Sequence, residues 1–473
     1  MQDYEKYDAL GLAELVAKGE VTPDELLDEA IARTEHLNPK LNAVVSKWYD
    51  EARADIKAGL PDGPFKGVPF LLKDLNLYWE GRRTTNGSAL FKDYIADHTS
   101  TLVQRYRDAG FVIFGQTNSP ELGLTPSTEP RLHGPTRNPW NLDHTPGGSS
   151  GGASAAVSAG ILPMANASDG GGSIRIPAAC CGLFGLKPTR ARTPVGPMQG
   201  EGWAGCSISH AVSWSVRDSA ALLDATHGPS PGDPYFAPAF DGSFLDASKR
   251  DPGKLKIAYS TEALNGVETD KNCKNLIIES LELMLSLGHE VEEAQPPVSA
   301  EEIGAAQMAI IGTSARMTFE LRAEQLGREL TQDDVELIPW LMIENAKTLP
   351  TTAYPKAVRT IHQLGRTMAQ FLDKYDVFMT PTLGRPPVEL GHLDMMNPDP
   401  GDYMSTLASF VNYCGYANMS GQPAMSLPLG HAENGLPIGV MVTGRFGDDD
   451  LLLSLAGQIE RAAPWAGRRP EIS

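Results

Sequence analysis

Three times along this chain a helical pattern passes through a turn into a short strand, and this alternation limits the fold more than any other feature. Residues 100–118 read as a helix, a glycine stop at Gly110 and the strand FVIFG, and the same order recurs at 273–295 and 364–380. Helices that each feed a buried strand pack as layers about a sheet, so an α/β class is expected. The 473 residues suffice for one large domain or two ordinary ones, and we read 1–473 as a single domain. Thr22-Pro23-Asp24-Glu25 is a capping box with proline at the first helical position. It predicts a helix over 22–37 that stops before Asn38-Pro39. FKGVPFLLKDL at 65–75 reads as a buried strand ending in Lys73-Asp74. Residues 296–372 read as a helical insertion flanking the functional site, with a capped entry at Thr331-Gln332-Asp333-Asp334. AMSLPLG and LPIGVMVTG flank Asn434-Gly435, a hairpin signal, and an amphipathic helix is expected at 449–463.

Composition removes several functional classes. The net charge is −19, so a groove for phosphate backbones is not expected. Cys180, Cys181, Cys206, Cys273 and Cys414 are odd in number and lack a CxxC spacing, which argues against a disulfide framework or structural zinc. No apolar run long enough for a membrane span occurs, and the first residues lack the features of a signal peptide. A cytoplasmic protein, without nucleic acid, membrane, metal or cofactor, is the expectation.

The chemistry is concentrated in 134–190, a stretch crowded with Gly, Ser, Ala and Pro. Apolar helical segments interrupt it, which a flexible linker lacks. Gly147-Gly148-Ser149-Ser150-Gly151 matches GxSxG, the pattern of a nucleophile elbow. An elbow needs a strand just before it, yet Pro139 and Pro146 stand there in a polar stretch, and no histidine downstream has a distinctive setting. A second loop, Ser168-Asp169-Gly170-Gly171-Gly172-Ser173-Ile174-Arg175, suits the first better as a partner. Successive glycines before a serine can aim backbone N–H groups at one point beside a hydroxyl nucleophile. Serine needs a base. Neither loop contains a histidine, and Lys73, at the end of an apolar strand, is the obvious alternative, because desolvation makes a neutral amine available.

Taken together, GGSSGGASAAVSAG at 147–160, SDGGGSIRIPAACCGLFGLKPT at 168–189, LLKDL at 71–75 and GQTNSPE at 115–121 resemble the amidase signature family. The likeness covers nearly the whole chain. It implies a mixed central β-sheet covered by helices on both faces, a three-layer α/β/α arrangement. It implies an amide hydrolase working through an acyl-enzyme. Ser173 would be the nucleophile. Ser149 would be the bridging serine, preceded by a cis peptide bond. Lys73 would be the base. The amides of Gly170, Gly171, Gly172 and Ser173 would form the oxyanion hole, and Asp169 and Arg175 would shape the loop. Ser150 would cap the helix that follows it. One departure stands out. Gly170 occupies a position where the family commonly carries a larger residue, and it is expected to loosen or widen the loop.

Within the family, TRNPWNL at 136–142, GRELTQDDVE at 327–336 and APWAGRRPE at 463–471 resemble the branch of 6-aminohexanoate cyclic-dimer hydrolases, aryl acylamidases and urethane-cleaving enzymes. Small oligoamides, anilides, carbamates and esters are the implied substrates, met by a monomer or homodimer. The alternative is the glutamine-hydrolysing A subunit of a tRNA-dependent amidotransferase. Met308, Ile310, Ile311, Trp340 and Met342 are expected to line an uncharged pocket. Arg175 is expected to pair with a carboxylate, Cys180 and Cys181 to be small core residues, and Trp140 to pack under the loop.

Overall fold

The lysine strand fixes the frame. All five residues of Pro69–Lys73 are buried, so the strand needs cover on both faces. In chain order the strands are β1 (Val44–Lys47), β2 (Pro69–Lys73), β3 (Val112–Thr117), β4 (Met164–Asp169), β5 (Phe184–Lys187), β6 (Ile208–Ser213), β7 (Lys256–Tyr259), β8 (Glu290–Glu293), β9 (Val377–Pro381), β10 (Ala424–His431) and β11 (Pro437–Gly444). This computed structural model describes residues 3–472.

Eight strands form a mixed sheet in the order β4-β6-β5-β10-β11-β9-β7-β8. Pairing is antiparallel from β4 to β9 and parallel among β9, β7 and β8. Period-two alternation divides the strand residues between two cores. Met425, Leu427, Val440 and Val442 join one, while Ala424 and Met441 join the other. Helices Val216–Thr226, Lys271–Ser286 and Asp449–Ala462 cover the first face. Gly151–Ser158, Arg175–Cys181, Ala300–Gln325 and Ala353–Leu372 cover the second.

A separate three-stranded sheet, β1-β3-β2, carries Lys73 at the end of β2, opposite Thr117 of the parallel strand β3. Asn166 of β4 joins the two sheets. Its Oδ1 accepts the Lys73 amide at 3.2 Å, while its Nδ2 donates to the Tyr106 hydroxyl and the His210 carbonyl. The lysine therefore sits where the small sheet meets the edge of the large one.

The expected helix-to-strand units appear at all three places, as does the Asn434-Gly435 hairpin. Two helix boundaries differ. The helix opened by the Thr22 capping box runs from Pro23 to Leu41, through Pro39. Asn38 explains the extension, because its Oδ1 accepts from the amides of Ala43 and Val44 and ties the helix end to β1. Thr331 closes a capping box with Asp334, but over a three-residue 3-10 turn, and the next helix begins at Leu337. Among the described residues, no helix is long and apolar enough to cross a membrane.

Candidate active site

Lys73 is fully buried, and its ammonium position is surrounded by hydroxyls. Nζ lies 2.7 Å from Ser149 Oγ, 2.9 Å from Ser150 Oγ and 3.1 Å from Ser168 Oγ. Among the described residues, no carboxylate is in hydrogen-bond contact with it. Desolvation dominates and takes the lysine down to about 7, against a weaker opposing pull from Asp169. A neutral amine has two N–H donors and one lone pair, so three hydroxyl neighbours satisfy it. Ser150 Oγ is itself a donor to the Ser168 carbonyl at 3.3 Å, so toward Lys73 it acts as an acceptor. This leaves the Ser149 hydroxyl suited to give its proton to the lysine lone pair.

The Gly148–Ser149 peptide bond is cis. Ser150 precedes the Gly151–Ser158 helix without bonding to it through its side chain, contrary to the expected capping role. The buried lysine and Ser168 take up that hydroxyl instead. Ser150 and Ser168 thus join the lysine's surroundings, which the spacing of the two loops alone does not reveal.

The second loop leaves β4 at Asp169 and turns into the Arg175–Cys181 helix. Asp169 and Arg175 are both fully buried and paired. Arg175 Nε donates to Asp169 Oδ2 and Nη2 donates to Oδ1, each at 3.0 Å. Although burial opposes ionisation, the guanidinium holds the Asp169 carboxyl well below the usual carboxylate range. Arg175 also donates to the Cys414 carbonyl and to Asn418 Oδ1. Asn418 Nδ2 in turn donates to Asp169 Oδ1, to the Asp169 carbonyl and to the Cys206 carbonyl.

Asp169 gathers the loop's own amides as well. Gly172 N–H donates to Oδ1 at 2.7 Å and Ile174 N–H to Oδ2 at 3.2 Å. Of the four amides expected in an oxyanion hole, that of Gly172 is thus engaged by Asp169. Gly172 has φ +132°, and a Cβ there would lie 2.6 Å from Ile176 Cδ1 and 2.7 Å from Cys414 Cβ, so the turn requires glycine.

Ser149, Ser168, Gly170 and Ser173 open onto one cavity of about 550 Å3. Leu77, Leu122, Val195, Trp203 and Tyr354 contribute apolar surface, and Glu201 is the single charged side chain among the described lining residues. The helical region 296–372 reaches it through Ser314, Met317, Thr318 and Tyr354. Met308, Ile310, Ile311, Trp340 and Met342, expected in that place, do not line it. On the Ala300–Gln325 helix Met308 lies opposite Met317 and is exposed, while Ile310 lies on the side of Ser314 but one turn earlier, where it is buried in the core.

The remaining candidates fall where expected. Cys180 and Cys181 are buried, and burial pushes both thiols well above their ordinary value. Trp140 Nε1 donates to the Cys181 carbonyl, and Asn138 Nδ2 donates to that of Cys180, so RNPWN grips the far end of the loop's helix. Gly170 departs from expectation. The space above it is filled by the Trp203 ring, so the loop is not widened there.

Known proteins resemble this chain over nearly its whole length. A family model described as Amidase matches residues 25–453. The 6-aminohexanoate-cyclic-dimer hydrolase of Pseudomonas sp. (strain NK87) is 37% identical over 98% of this chain and 96% of its own length. A solved structure of 6-aminohexanoate cyclic dimer hydrolase superposes with a TM-score of 0.94 at 36% identity and full coverage of both chains. A bacterial aryl acylamidase gives 0.88 at 28% identity, covering 98% and 99% of the two chains. The glutamyl-tRNA(Gln) amidotransferase A-type subunit of Thermotoga maritima is more distant, at 0.79 and 27%, covering 100% and 99%. The chain belongs to the amidase signature family and is an amide-bond hydrolase.

Proposed function

We propose that this chain hydrolyses secondary amides of small molecules, including cyclic and linear oligoamides and anilides, and also carbamates and esters, through an acyl-enzyme on Ser173. The observation that carries the reading is Lys73, fully buried and held at about 7, in contact with Ser149 beside the cavity that Ser173 lines. In this mechanism the Ser173 hydroxyl attacks the amide carbonyl as its proton passes to Ser149, whose own proton passes to the neutral Lys73 amine. The new carbonyl oxyanion is held by loop amides. Of the four expected, Gly170, Gly171 and Ser173 are assigned this role, because the Gly172 N–H is engaged by Asp169. The lysine proton then returns through Ser149 to the departing amine. Water attacks the acyl-serine ester by the same route in reverse.

Asp169, Arg175 and Ser150 are positioning residues in this account, and no metal or cofactor takes part. We assign residues 1–473 to one domain, with 296–372 as the segment that flanks the pocket, and a cytoplasmic monomer or homodimer as the working form. The substrate reading is supported by the cavity's charge. Glutamine bears an α-carboxylate, yet the described lining contains no lysine or arginine to pair with it. A cyclic oligoamide or an anilide carries no charge and makes no such demand. The relatives' names point the same way. The test is kcat/KM of the isolated chain for 4-nitroacetanilide and 6-aminohexanoate cyclic dimer against glutamine. Preference for the two neutral amides is expected. Preference for glutamine, or activity only after a partner protein is added, would overturn the substrate reading and favour the tRNA-dependent amidotransferase.

A further inference from the structure

Gly170 lies one residue beyond β4, and the pairing of β4 with β6 decides what covers it. Asp169 is opposite Ile208, so the chain entering β6 crosses directly over Gly170. That entry is a tight loop. Gly202 bridges Ser207, the Cys206 amide donates to the Trp203 carbonyl, and Trp203, Ala204 and Gly205 have φ of +53°, +54° and +77°. Three successive residues in the left-handed region turn the backbone back on itself. A Cβ added to Gly170 would lie 2.6 Å from both Cε3 and Cζ3 of Trp203, so the indole rests on the bare face of the glycine. Asn418 locks the two loops together, since its Nδ2 donates to Asp169 and to the Cys206 carbonyl. The half-buried ring lines the cavity with Ser173, Met317 and Tyr354.

We propose that Trp203 is the specificity-determining wall of the acyl side of this cavity, laid against the substrate chain next to the reacting carbonyl, and that Gly170 lacks a side chain in order to admit it. The proposal rests on the amide-hydrolase reading above and adds to it a preference for extended polymethylene or aryl groups over short ones. An indole face offers a large, rigid apolar contact that grows with the length of chain laid on it, while a methyl group beside the carbonyl gains little.

The test uses the full chain and a series of serine-directed alkyl phosphonofluoridates bearing methyl, butyl or octyl groups. The second-order rate of labelling on Ser173 is measured for the wild type, Trp203→Ala and Trp203→Phe. In Trp203→Ala the octyl rate is expected to fall further than the methyl rate, lowering the octyl-to-methyl ratio about tenfold. Trp203→Phe should restore most of the ratio, and it covers the case in which the alanine variant does not fold. An unchanged ratio, or an equal loss for every chain length, would overturn the proposal, the second by showing a merely structural role. Labelling needs the nucleophile but no amide cleavage. A wild type that labels with chain-length preference yet cleaves no amide would therefore sink the substrate reading while leaving the role of Trp203 standing.

Discussion

Lys73 and the Asp169–Arg175 pair are equally buried, yet burial acts on them in opposite ways. Lys73 faces three hydroxyls and no carboxylate, and desolvation strips its charge near neutral pH. Asp169 faces a guanidinium on two hydrogen bonds and receives two loop amides, so its charge is held against the same desolvation. A buried ionisable group is neutral or charged according to its partners, and both outcomes occur in this site. The uncharged lysine is available to take a proton, and the charged pair keeps the glycine loop in one shape.

That contrast can be broken most severely at Ser173, the nucleophile we propose, which both arrangements would serve. Ser173→Ala is expected to reduce amide turnover by several orders of magnitude, measured as kcat, with the fold intact by circular dichroism. Breaking the charged pair comes next. Asp169→Asn leaves Arg175 buried without its counter-charge and should cost about 3–5 kcal/mol in denaturant unfolding, with activity lost alongside. An unfolding midpoint matching the wild type would show that the pair is not holding the loop.

The uncharged lysine should respond in the opposite sense. Lys73→Met should unfold at the same or a higher denaturant concentration, because a desolvated amine is replaced by an apolar chain of similar length. Its amide hydrolysis should nevertheless drop about 10²–10⁴-fold, and ester hydrolysis less, since only an amine leaving group needs the returned proton. The smallest effect is expected at Ser150→Ala. It removes one acceptor from Lys73 but leaves Ser149 and Ser168, and should lower kcat/KM by less than about tenfold.

Groups whose chemistry is local are legible in the sequence. Lys73, Ser149 and Ser173 stand in motifs whose order and spacing single them out as candidates, and the structure places Lys73 on Ser149 and opens Ser149 and Ser173 onto one cavity. Groups that act only through tertiary pairing were not legible. Asn166 and Asn418 are lone asparagines in sequence, and only the meeting of two sheets or two loops gives each its partners. Ser150 reads as a helix cap because caps are local, but the buried lysine competes for its hydroxyl and wins. Pro39 reads as a helix stop for the same local reason, and Asn38 offsets it by bonding across to β1. Trp203 left a trace in the unusual glycine at 170, which pointed to space without saying what fills it.

The central claim is that Lys73, uncharged, accepts the nucleophile's proton by way of Ser149. It is tested most directly by the pH dependence of Ser173 labelling with a methyl phosphonofluoridate, in the wild type and in Lys73→Met. Lys73 is protonated and unable to accept a proton below its lowered value and is free to accept one above it. The labelling rate should therefore rise with pH through a single step near 7 in the wild type. In Lys73→Met that step should vanish, leaving a low rate without a midpoint in this range. The same step persisting without Lys73, or label found on Ser149, would contradict the account.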